Sequence, residues 1–238
     1  MTATAVVLPR ALSIAAGLDL DAYRPEHVGE RVRRALERER VANLEGLVRL
    51  LDLDAAVRTR FRRSIAVSVS GLFRDPAQFD LLERELLPPL VAHSGHVSAW
   101  SAGCADGSEL YSVAILLDRL GALDHSLLLG SDVLEENLAA AEGGVYGDLT
   151  VSDRLRSRVC WERRDLVREG PPLGTWRLVL CRNLAIYLAP AAKRRLQKTL
   201  AGALAEGGIL LLGRSERLAS PSSFGLQRVG PHAYRRPR

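Results

Sequence analysis

Between residues 97 and 213 the chain alternates short, continuous apolar runs with amphipathic segments, and this alternation is what most restricts its fold. A strand that is apolar along its whole length is typical of a parallel sheet covered by helices on both faces. The pattern predicts strands at 97–102, 126–133, 159–165, 176–183 and 209–213. It predicts helices at 76–91, 108–120, 135–141 and 190–205, the last ended by Gly207 and Gly208. We therefore expect an α/β domain with a doubly wound parallel sheet.

The first third of the chain has a helical pattern instead. Val28, Val32 and Leu36 recur every four residues, with arginines on the other sides of the same segment. Asp54 is a good N-cap for a later helix. Helices are predicted at 25–40, at 44–51 and from Asp54 onward. The sequence thus predicts a small all-α domain at 1–68, followed by the α/β domain at 69–238.

Charge and cysteine content restrict the partners and the environment. The net charge of +5 favours acidic partners, although charge alone does not choose among proteins, nucleic acids and anionic surfaces. Cys104, Cys160 and Cys181 form no metal-ligand pattern, and we expect reduced, buried thiols and no metal. No run approaches the ~20 apolar residues of a membrane span, and the first residues lack a basic segment before their apolar stretch. We therefore expect a cytoplasmic protein without membrane insertion.

The first strand–loop–helix unit of the α/β domain is the expected ligand site, because ligands bind at the carboxyl ends of parallel strands. Its sequence, WSAGCADGSELYS, contains Gly103 and Gly107, which allow close approach of the backbone to a cofactor or simply form a tight turn. The second strand ends in Asp132, which suits either a ribose or the cap of the next helix. Together these features favour an adenosine-containing cofactor, without separating S-adenosylmethionine (SAM) from a nicotinamide dinucleotide.

Five segments resemble motifs of the chemotaxis-receptor glutamate methyltransferase family, in the same order. They are SGLFRDPAQF, WSAGCADGSELYS, GSDVLEENLAAAEGGVYG, LVLCRNLAIYL and LAEGGILLLGRSERL. The resemblance implies a Rossmann-like SAM-dependent methyltransferase fold with a small all-α N-terminal domain. It also implies SAM as cofactor, S-adenosyl-L-homocysteine as product, and glutamate carboxylates of a chemoreceptor-like protein as acceptors.

The resemblance further implies roles for individual residues. Ser70 and Arg74 would contact the methionine end of SAM, Glu109 its amino acid moiety and Asp132 its ribose. Asp165 would lie beside the adenine, and Arg182 with Asn183 would form the floor of the site. Tyr187, together with Arg74, would position the acceptor. The implied cofactor-binding set is completed by Ser68, Gly103 and Leu166. Each residue also has an ordinary structural interpretation, such as a surface ion pair for Arg74 or a turn residue for Asn183.

The expected chemistry suits these residue types. A glutamate carboxylate, with a reference pKa of ~4.3, is ionised at neutral pH and needs no strong general base. Enzymes of this fold that methylate amines often carry a D/N-P-P-Y/W loop after the fourth strand, where this chain has CRNLAIY. That difference argues against amino-methylation of DNA or glutamine, but not against other acceptors.

Three departures from the family pattern bear on cofactor and acceptor binding. Ser108 and Leu110 replace a glutamate and a proline of the glycine loop, and Asp165 replaces an asparagine. The segment between Tyr146 and the third strand is far too short for the three-stranded β-subdomain that many family members carry. We therefore expect the arginine-rich helix to bind the acceptor, or else to present an ordinary solvated face. The predicted acceptor-binding residues are Arg33, Arg34 and Arg38.

The expected partner is an acidic helical receptor or signalling protein, bound by a monomer. Nucleic acid is not favoured, because the chain lacks a basic stretch interleaved with aromatic residues. Two alternatives stay open at this point. One is a SAM-dependent methyltransferase of nucleic acid or a small molecule, and the other is a non-catalytic SAM-binding module.

Overall fold

A computed structural model describes residues 10–67 and 71–238, and its contacts group them into two compact units. The first unit contains the described residues up to 67 together with Tyr187–Arg194, and the second contains residues 71–186 and 195–238. The boundary predicted after residue 68 stays a proposal. The units differ from it in one respect, because 187–194 groups with the N-terminal helices.

The first unit is helical, as its periodicity predicts. Its helices are α1 (Arg10–Ala16), α2 (Pro25–Glu39), α3 (Leu44–Leu53) and α4 (Ala55–Ala66), with a short 3₁₀ turn at Leu20–Ala22. The prediction did not include α1. Asp54 caps α4, because its carboxylate accepts hydrogen bonds from the backbone N–H groups of Ala56 and Val57 at 2.8 and 3.0 Å. The core contains fully buried apolar side chains from all four helices, including Leu12, Val28, Leu47 and Phe61.

The second unit alternates helices and strands. After α5 (Pro76–Leu81), a π-helical segment (Leu82–Leu86) and α6 (Leu87–Ser94), the order is β1 (Ser98–Ala102), α7 (Ser108–Arg119), β2 (Leu127–Asp132), α8 (Glu135–Gly143), β3 (Val145–Tyr146), β4 (Leu149–Thr150), α9 (Asp153–Arg156), β5 (Val159–Arg163), β6 (Trp176–Cys181), α10 (Pro190–Ala203), β7 (Leu204–Leu212), β8 (Gln227–Gly230) and β9 (Ala233–Arg235). The first five residues of α10, 190–194, group with the helical unit. All the strands and helices predicted for this region are present.

The main sheet has the strand order β5-β2-β1-β6-β7-β9-β8. Its first five strands are parallel, and β9 and β8 are antiparallel additions at one edge. The predicted doubly wound parallel sheet is confirmed for the first five strands, and the antiparallel pair at this edge was not part of the prediction. The chain leaves β1 toward β2 on one side and later enters β6 on the other side, so β1 and β6 flank the switch point. Their carboxyl ends are where a ligand site is expected.

The end of α10 differs from the prediction. The helix stops at Ala203, and Gly207 and Gly208 lie inside β7 rather than after the helix. A Cβ atom on Gly208 would come within 2.8 and 2.9 Å of the carbonyl oxygens of Ala205 and Trp176. The glycine therefore permits the irregular pairing of β6 with β7 at this point, where the register shifts.

Two smaller expectations have opposite outcomes. Cys104 and Cys181 are buried, but Cys160 is exposed, because it lies on β5 at the edge of the sheet. The prediction of three buried thiols is wrong for that residue. Between Tyr146 and Val159 the structure has only the two-residue strand β4 and the four-residue helix α9. The expectation that no three-stranded subdomain fits there is confirmed.

Candidate active site

The loop after β1 forms one wall of the candidate site. Gly103 and Gly107 have φ angles of 79° and 81°, which favour glycine, and Gly107 immediately precedes α7. A Cβ atom on Gly107 would lie 2.5 Å from the indole of Trp161. The N–H groups of Gly103 and Cys104 donate to the carbonyl oxygen of Ser131 at 2.8 and 2.9 Å, which ties the loop to β2. Both glycines are therefore required by close packing, because a Cβ atom on Gly103 would lie 2.9 Å from the side chain of Leu184.

Asp132 connects this loop to the next helix. One carboxylate oxygen accepts from the Ala105 N–H at 3.0 Å. The other accepts from the Leu134 N–H at 2.9 Å and the Asn137 side-chain amide at 3.1 Å. Burial raises the pKa of Asp132, although these hydrogen bonds oppose the shift. The carboxylate therefore holds the loop after β1 and the turn before α8. The alternative that it caps the helix is wrong, because the N-cap of α8 is Leu134 and the described residues provide no side-chain cap there. The carboxylate retains lone pairs for a further donor.

Glu109 and Arg182 form a buried ion pair beneath the loop. The carboxylate of Glu109 accepts from the Ser101 hydroxyl at 2.7 Å and lies 3.2 Å from Nη1 of Arg182. Burial raises the pKa of Glu109, while the charge of Arg182 lowers it in opposition. Arg182 also donates to the Gln78 side chain at 2.8 Å and to Asp75 at 3.0 Å. Its guanidinium thus joins the end of β6 to α7 and to the segment before α5.

That segment is a strained turn. Phe73 and Asp75 have φ angles of 53° and 62°, a left-handed conformation that non-glycine residues adopt at a cost of about 1–3 kcal/mol each. The Phe73 N–H donates to the Ser112 hydroxyl at 2.9 Å, and Nη2 of Arg182 donates to the carbonyl oxygen of Arg74 at 2.5 Å. The side chain of Arg74, between the two strained residues, is exposed. Strain of this kind is concentrated at functional sites, which favours a functional interpretation of the turn.

Glu216 is a site residue that the prediction missed. It is 1% exposed, and its carboxylate accepts from the backbone N–H groups of Asn183, Ala185 and Gly213 at 2.7, 2.7 and 2.9 Å. Asn183 itself has a φ of 61°. Glu216 therefore holds the loops after β6 and β7 together. It belongs to the matched segment LAEGGILLLGRSERL, so the motif was the available signal.

The remaining predicted cofactor residues have simpler surroundings. Asp165 accepts from the backbone N–H groups of Val167 and Arg168 at 3.0 and 3.2 Å, so it closes a local turn after β5. The next residue, Leu166, is buried. Ser68 and Ser70 lie outside the described residues.

Tyr187 belongs to the helical unit by its contacts. Its carbonyl oxygen accepts from the Arg24 N–H at 2.9 Å, and its ring lies 4.9 Å from that of His27. The predicted acceptor-binding arginines are on α2 of the same unit and are exposed. Arg33 pairs with Glu30 and Glu37, Arg34 pairs with Glu30, and Arg38 pairs with Glu39.

A metal cluster and a membrane-spanning helix are both absent from the described residues. In 10–67 and 71–238 no group of three or more His, Cys, Asp or Glu side chains has a geometry that suits a metal ion. Within the same ranges, no helix has the length and apolar character needed to cross a bilayer.

Several known proteins are similar to this chain. A relative named "Chemotaxis protein methyltransferase" from Listeria innocua serovar 6a is 28% identical, with 92% of this chain and 91% of that protein covered. A relative named "Chemotaxis protein methyltransferase 1" from Pseudomonas aeruginosa is 26% identical, with 90% of each covered. The solved structure of the plantazolicin methyltransferase BpumL aligns with a TM-score of 0.41 and 14% identity over 79% of this chain and 60% of that one.

The family comparison covers more than half of the chain. Residues 68–152 and 147–229 match the family described as "CheR methyltransferase, SAM binding domain". These ranges include the glycine loop, Asp132, the loop after β6 and Glu216. The chain belongs to the CheR methyltransferase family, and residues 68–229 match that family's SAM-binding domain.

Proposed function

We propose that this protein transfers the methyl group of SAM to glutamate side-chain carboxylates of a chemoreceptor-like helical protein, with S-adenosyl-L-homocysteine as the other product. The names of the relatives from Listeria innocua and Pseudomonas aeruginosa support the pathway. The acceptor class is supported by the carboxylates around the candidate site.

The observation that carries the acceptor class is that these carboxylates are already engaged. Glu109 and Asp75 face Arg182, Asp132 accepts three hydrogen bonds, and Glu216 accepts three more. A side chain held in this way is poorly suited to remove a proton from an amine or hydroxyl. An acceptor that is already ionised, such as a glutamate carboxylate, needs no such base.

The residues at the carboxyl ends of the strands fit SAM. The remaining lone pairs of Asp132, at the end of β2 and beside the glycine loop, suit the ribose of an adenosine moiety. The hydroxyl of Ser108, in the first turn of α7, is buried and has no hydrogen-bond partner among the described residues. When bound, SAM supplies an electrophilic methyl group.

In this proposal each predicted cofactor residue keeps a distinct role. Glu109 accepts from the amino group of the methionine moiety, and Asp132 accepts from the ribose. Asp165 and Leu166 line the adenine side, while Arg182 and Asn183 support the floor. Ser68, Ser70 and Arg74 complete the methionine end.

Arg74 and Tyr187 orient the acceptor in this proposal. The strained turn presents the guanidinium of Arg74 at the surface, where it can pair with an incoming carboxylate. Tyr187 is proposed to position the acceptor through its hydroxyl. Because a cation and an anion combine into neutral products, a site that excludes water favours the reaction, and exact positioning supplies a further part of the rate.

Acceptor recognition is assigned in this proposal to Arg33, Arg34 and Arg38 on α2. Their ion pairs with neighbouring glutamates are exposed, so water screens them and the arginines exchange partners readily. An acidic helical protein offers several carboxylates at once, which favours that exchange. Recognition by this helix would replace the missing β-subdomain.

The test is methyl transfer from radiolabelled SAM to the cytoplasmic helical fragment of a receptor, followed by mild base. A carboxyl methyl ester releases methanol under these conditions, so we expect base-labile label on the receptor fragment. A base-stable product would reject glutamate as the acceptor. Binding of S-adenosyl-L-homocysteine without any transfer would favour a non-catalytic module instead.

A substitution tests the positioning role separately. Tyr187→Phe should reduce kcat about 100-fold, the lower end of the range for loss of one positioned hydrogen-bond donor, without changing the Kd for S-adenosyl-L-homocysteine. Arg49→Gln, on an exposed part of α3, is the matched control and should change neither value. An unchanged kcat in Tyr187→Phe would remove Tyr187 from the proposal.

A further inference from the structure

A cavity lies away from the candidate active site, near the opposite end of the parallel strands. It has a volume of about 390 Å³ and is lined by Pro89, Leu90, Arg177, Gly207, Arg235 and Arg238. All six residues belong to the second unit. Arg177 is at the amino end of β6, whereas the candidate active site is at the carboxyl end. Five residues of strand, or about 16 Å, separate Arg177 from Arg182.

The three arginines of this cavity lack the ion pairs that many arginines of the chain make. Among the residues that the structure describes, neither Arg177, Arg235 nor Arg238 has a carboxylate within ion-pair distance, whereas ion pairs are made by Arg34, Arg154, Arg156, Arg163 and Arg164. Three guanidiniums thus line one cavity without a counter-charge from the described part of the protein. This arrangement favours an anionic ligand, because clustered like charges repel one another when no anion is present.

Two of these guanidiniums contact side chains at the end of α6. Nη1 of Arg177 donates to the Ser94 hydroxyl at 3.1 Å, and its Nε is buried without a hydrogen-bond partner among the described residues. Nη2 of Arg238 lies 3.3 Å from Nδ1 of His93. By contrast, the neighbouring Arg236 donates to the Ala201 carbonyl oxygen. Donor capacity therefore remains in the cavity for a ligand.

The backbone keeps the cavity open. Arg177 is on β6 and Arg235 is on β9, the two strands that flank β7. Between them, β7 contributes Gly207, which has a φ of 75° and no side chain to fill the space. A Cβ atom there would lie 3.4 Å from Nε of Arg238. A glycine at this position thus serves both the backbone conformation and the access to the arginines.

We propose that this cavity binds a small organic phosphate. A phosphate monoester carries close to two negative charges and three acceptor oxygens, which match several guanidinium forks better than one carboxylate does. The volume lies in the usual range for small-molecule sites and exceeds what inorganic phosphate alone would fill. Pro89 and Leu90 provide an apolar surface for the organic part of the ligand.

The test is isothermal titration calorimetry of the full chain with phenyl phosphate, in the presence of saturating S-adenosyl-L-homocysteine. We expect one site per chain, with benzoate and inorganic phosphate binding at least tenfold more weakly. Arg177→Gln and Arg235→Gln should each weaken phenyl phosphate binding at least tenfold, while the control Arg49→Gln should not change it.

Further measurements keep the proposal open to refutation. Arg238→Gln removes an exposed guanidinium from the cavity and should also weaken binding. It therefore provides the test if the other two variants fail to fold. Circular dichroism melting establishes which variants are folded. Absence of saturable binding, equal affinity for benzoate, or binding unaffected in folded cavity variants would overturn the assignment.

Discussion

Replacing Arg182 with methionine tests whether this side chain holds the site together. Its guanidinium is 3% exposed and reaches Gln78, Glu109, Asp75 and the carbonyl oxygen of Arg74. Methionine keeps much of the apolar volume but leaves these acceptors without their donor. Removing one partner of a buried ion pair costs about 3–5 kcal/mol. Because Glu109 and Asp75 retain 15% and 21% exposure, we expect the lower end, about 3 kcal/mol.

Urea unfolding of Arg182→Met against the unchanged protein measures this loss. A change of about 3 kcal/mol should also lower Tm by roughly 6–12 °C in a chain of this size. Calorimetry with S-adenosyl-L-homocysteine measures the consequence for the site, where we expect at least a tenfold weaker Kd, because both α7 and the strained turn lose their common anchor.

A double variant identifies the cause of the loss. In Arg182→Met with Glu109→Gln, the carboxylate that would be left buried without a partner is neutral, so about 1–2 kcal/mol of the loss should be recovered. Arg49→Gln is the control and should leave unfolding unchanged. A loss below about 1 kcal/mol in Arg182→Met, or no recovery in the double variant, would refute the anchoring role.

Three further predictions concern the loop, the buried acid and the basic helix. Gly107→Ala should reduce the free energy of unfolding by at least about 2 kcal/mol, because of the positive φ and the contact with Trp161. The control Gly121→Ala, at a glycine with a positive φ but open space around it, should reduce it by about 1 kcal/mol. Equal losses would contradict the packing argument. Burial raises the pKa of Asp132 above 3.8, so its contribution to stability is present at acid pH and is lost as pH rises through the folded pKa. In urea titrations, the stability of the unchanged protein relative to Asp132→Asn should therefore fall from about pH 3.5 upward. A difference that rises with pH would reverse the assigned sign. Replacing Arg33, Arg34 and Arg38 with glutamate should raise KM for the receptor fragment at least tenfold and leave the Kd for S-adenosyl-L-homocysteine unchanged. Arg49→Glu is the control and should change neither value. An unchanged KM in the triple variant would remove α2 from acceptor binding.

The order of strands and helices was predictable because both faces of the parallel strands are covered. Leu178, Leu180 and Leu211 are fully buried, and the continuous apolar runs 178–181 and 209–212 make β6 and β7 stand out in the sequence. The antiparallel edge lacks that signal. Gln227–Gly230 is mostly exposed, and its pairing with Ala233–Arg235 depends on a turn rather than on an apolar run.

The sequence indicated many residues of the candidate site, but not the contacts that these residues make with one another. Asp132 and Glu109 follow a strand end and a glycine loop, which are local signals. Arg182 reaches residues more than 70 positions away in sequence, and Glu216 holds loops about 30 positions away. Such long-range contacts arise from the folded sheet, and no local periodicity encodes them.

These connections give the strained turn a physical explanation. Two left-handed residues on either side of Arg74 would relax if the turn were free, because each costs about 1–3 kcal/mol. Ser112 holds Phe73 from α7, and Arg182 holds the Arg74 carbonyl and Asp75 from β6. The same Arg182 pairs with Glu109, the residue proposed to bind the cofactor. The residue proposed to orient the acceptor and the residue proposed to hold the cofactor are therefore supported by one guanidinium. Changes in the occupancy of one part of the site should for that reason affect the geometry of the other.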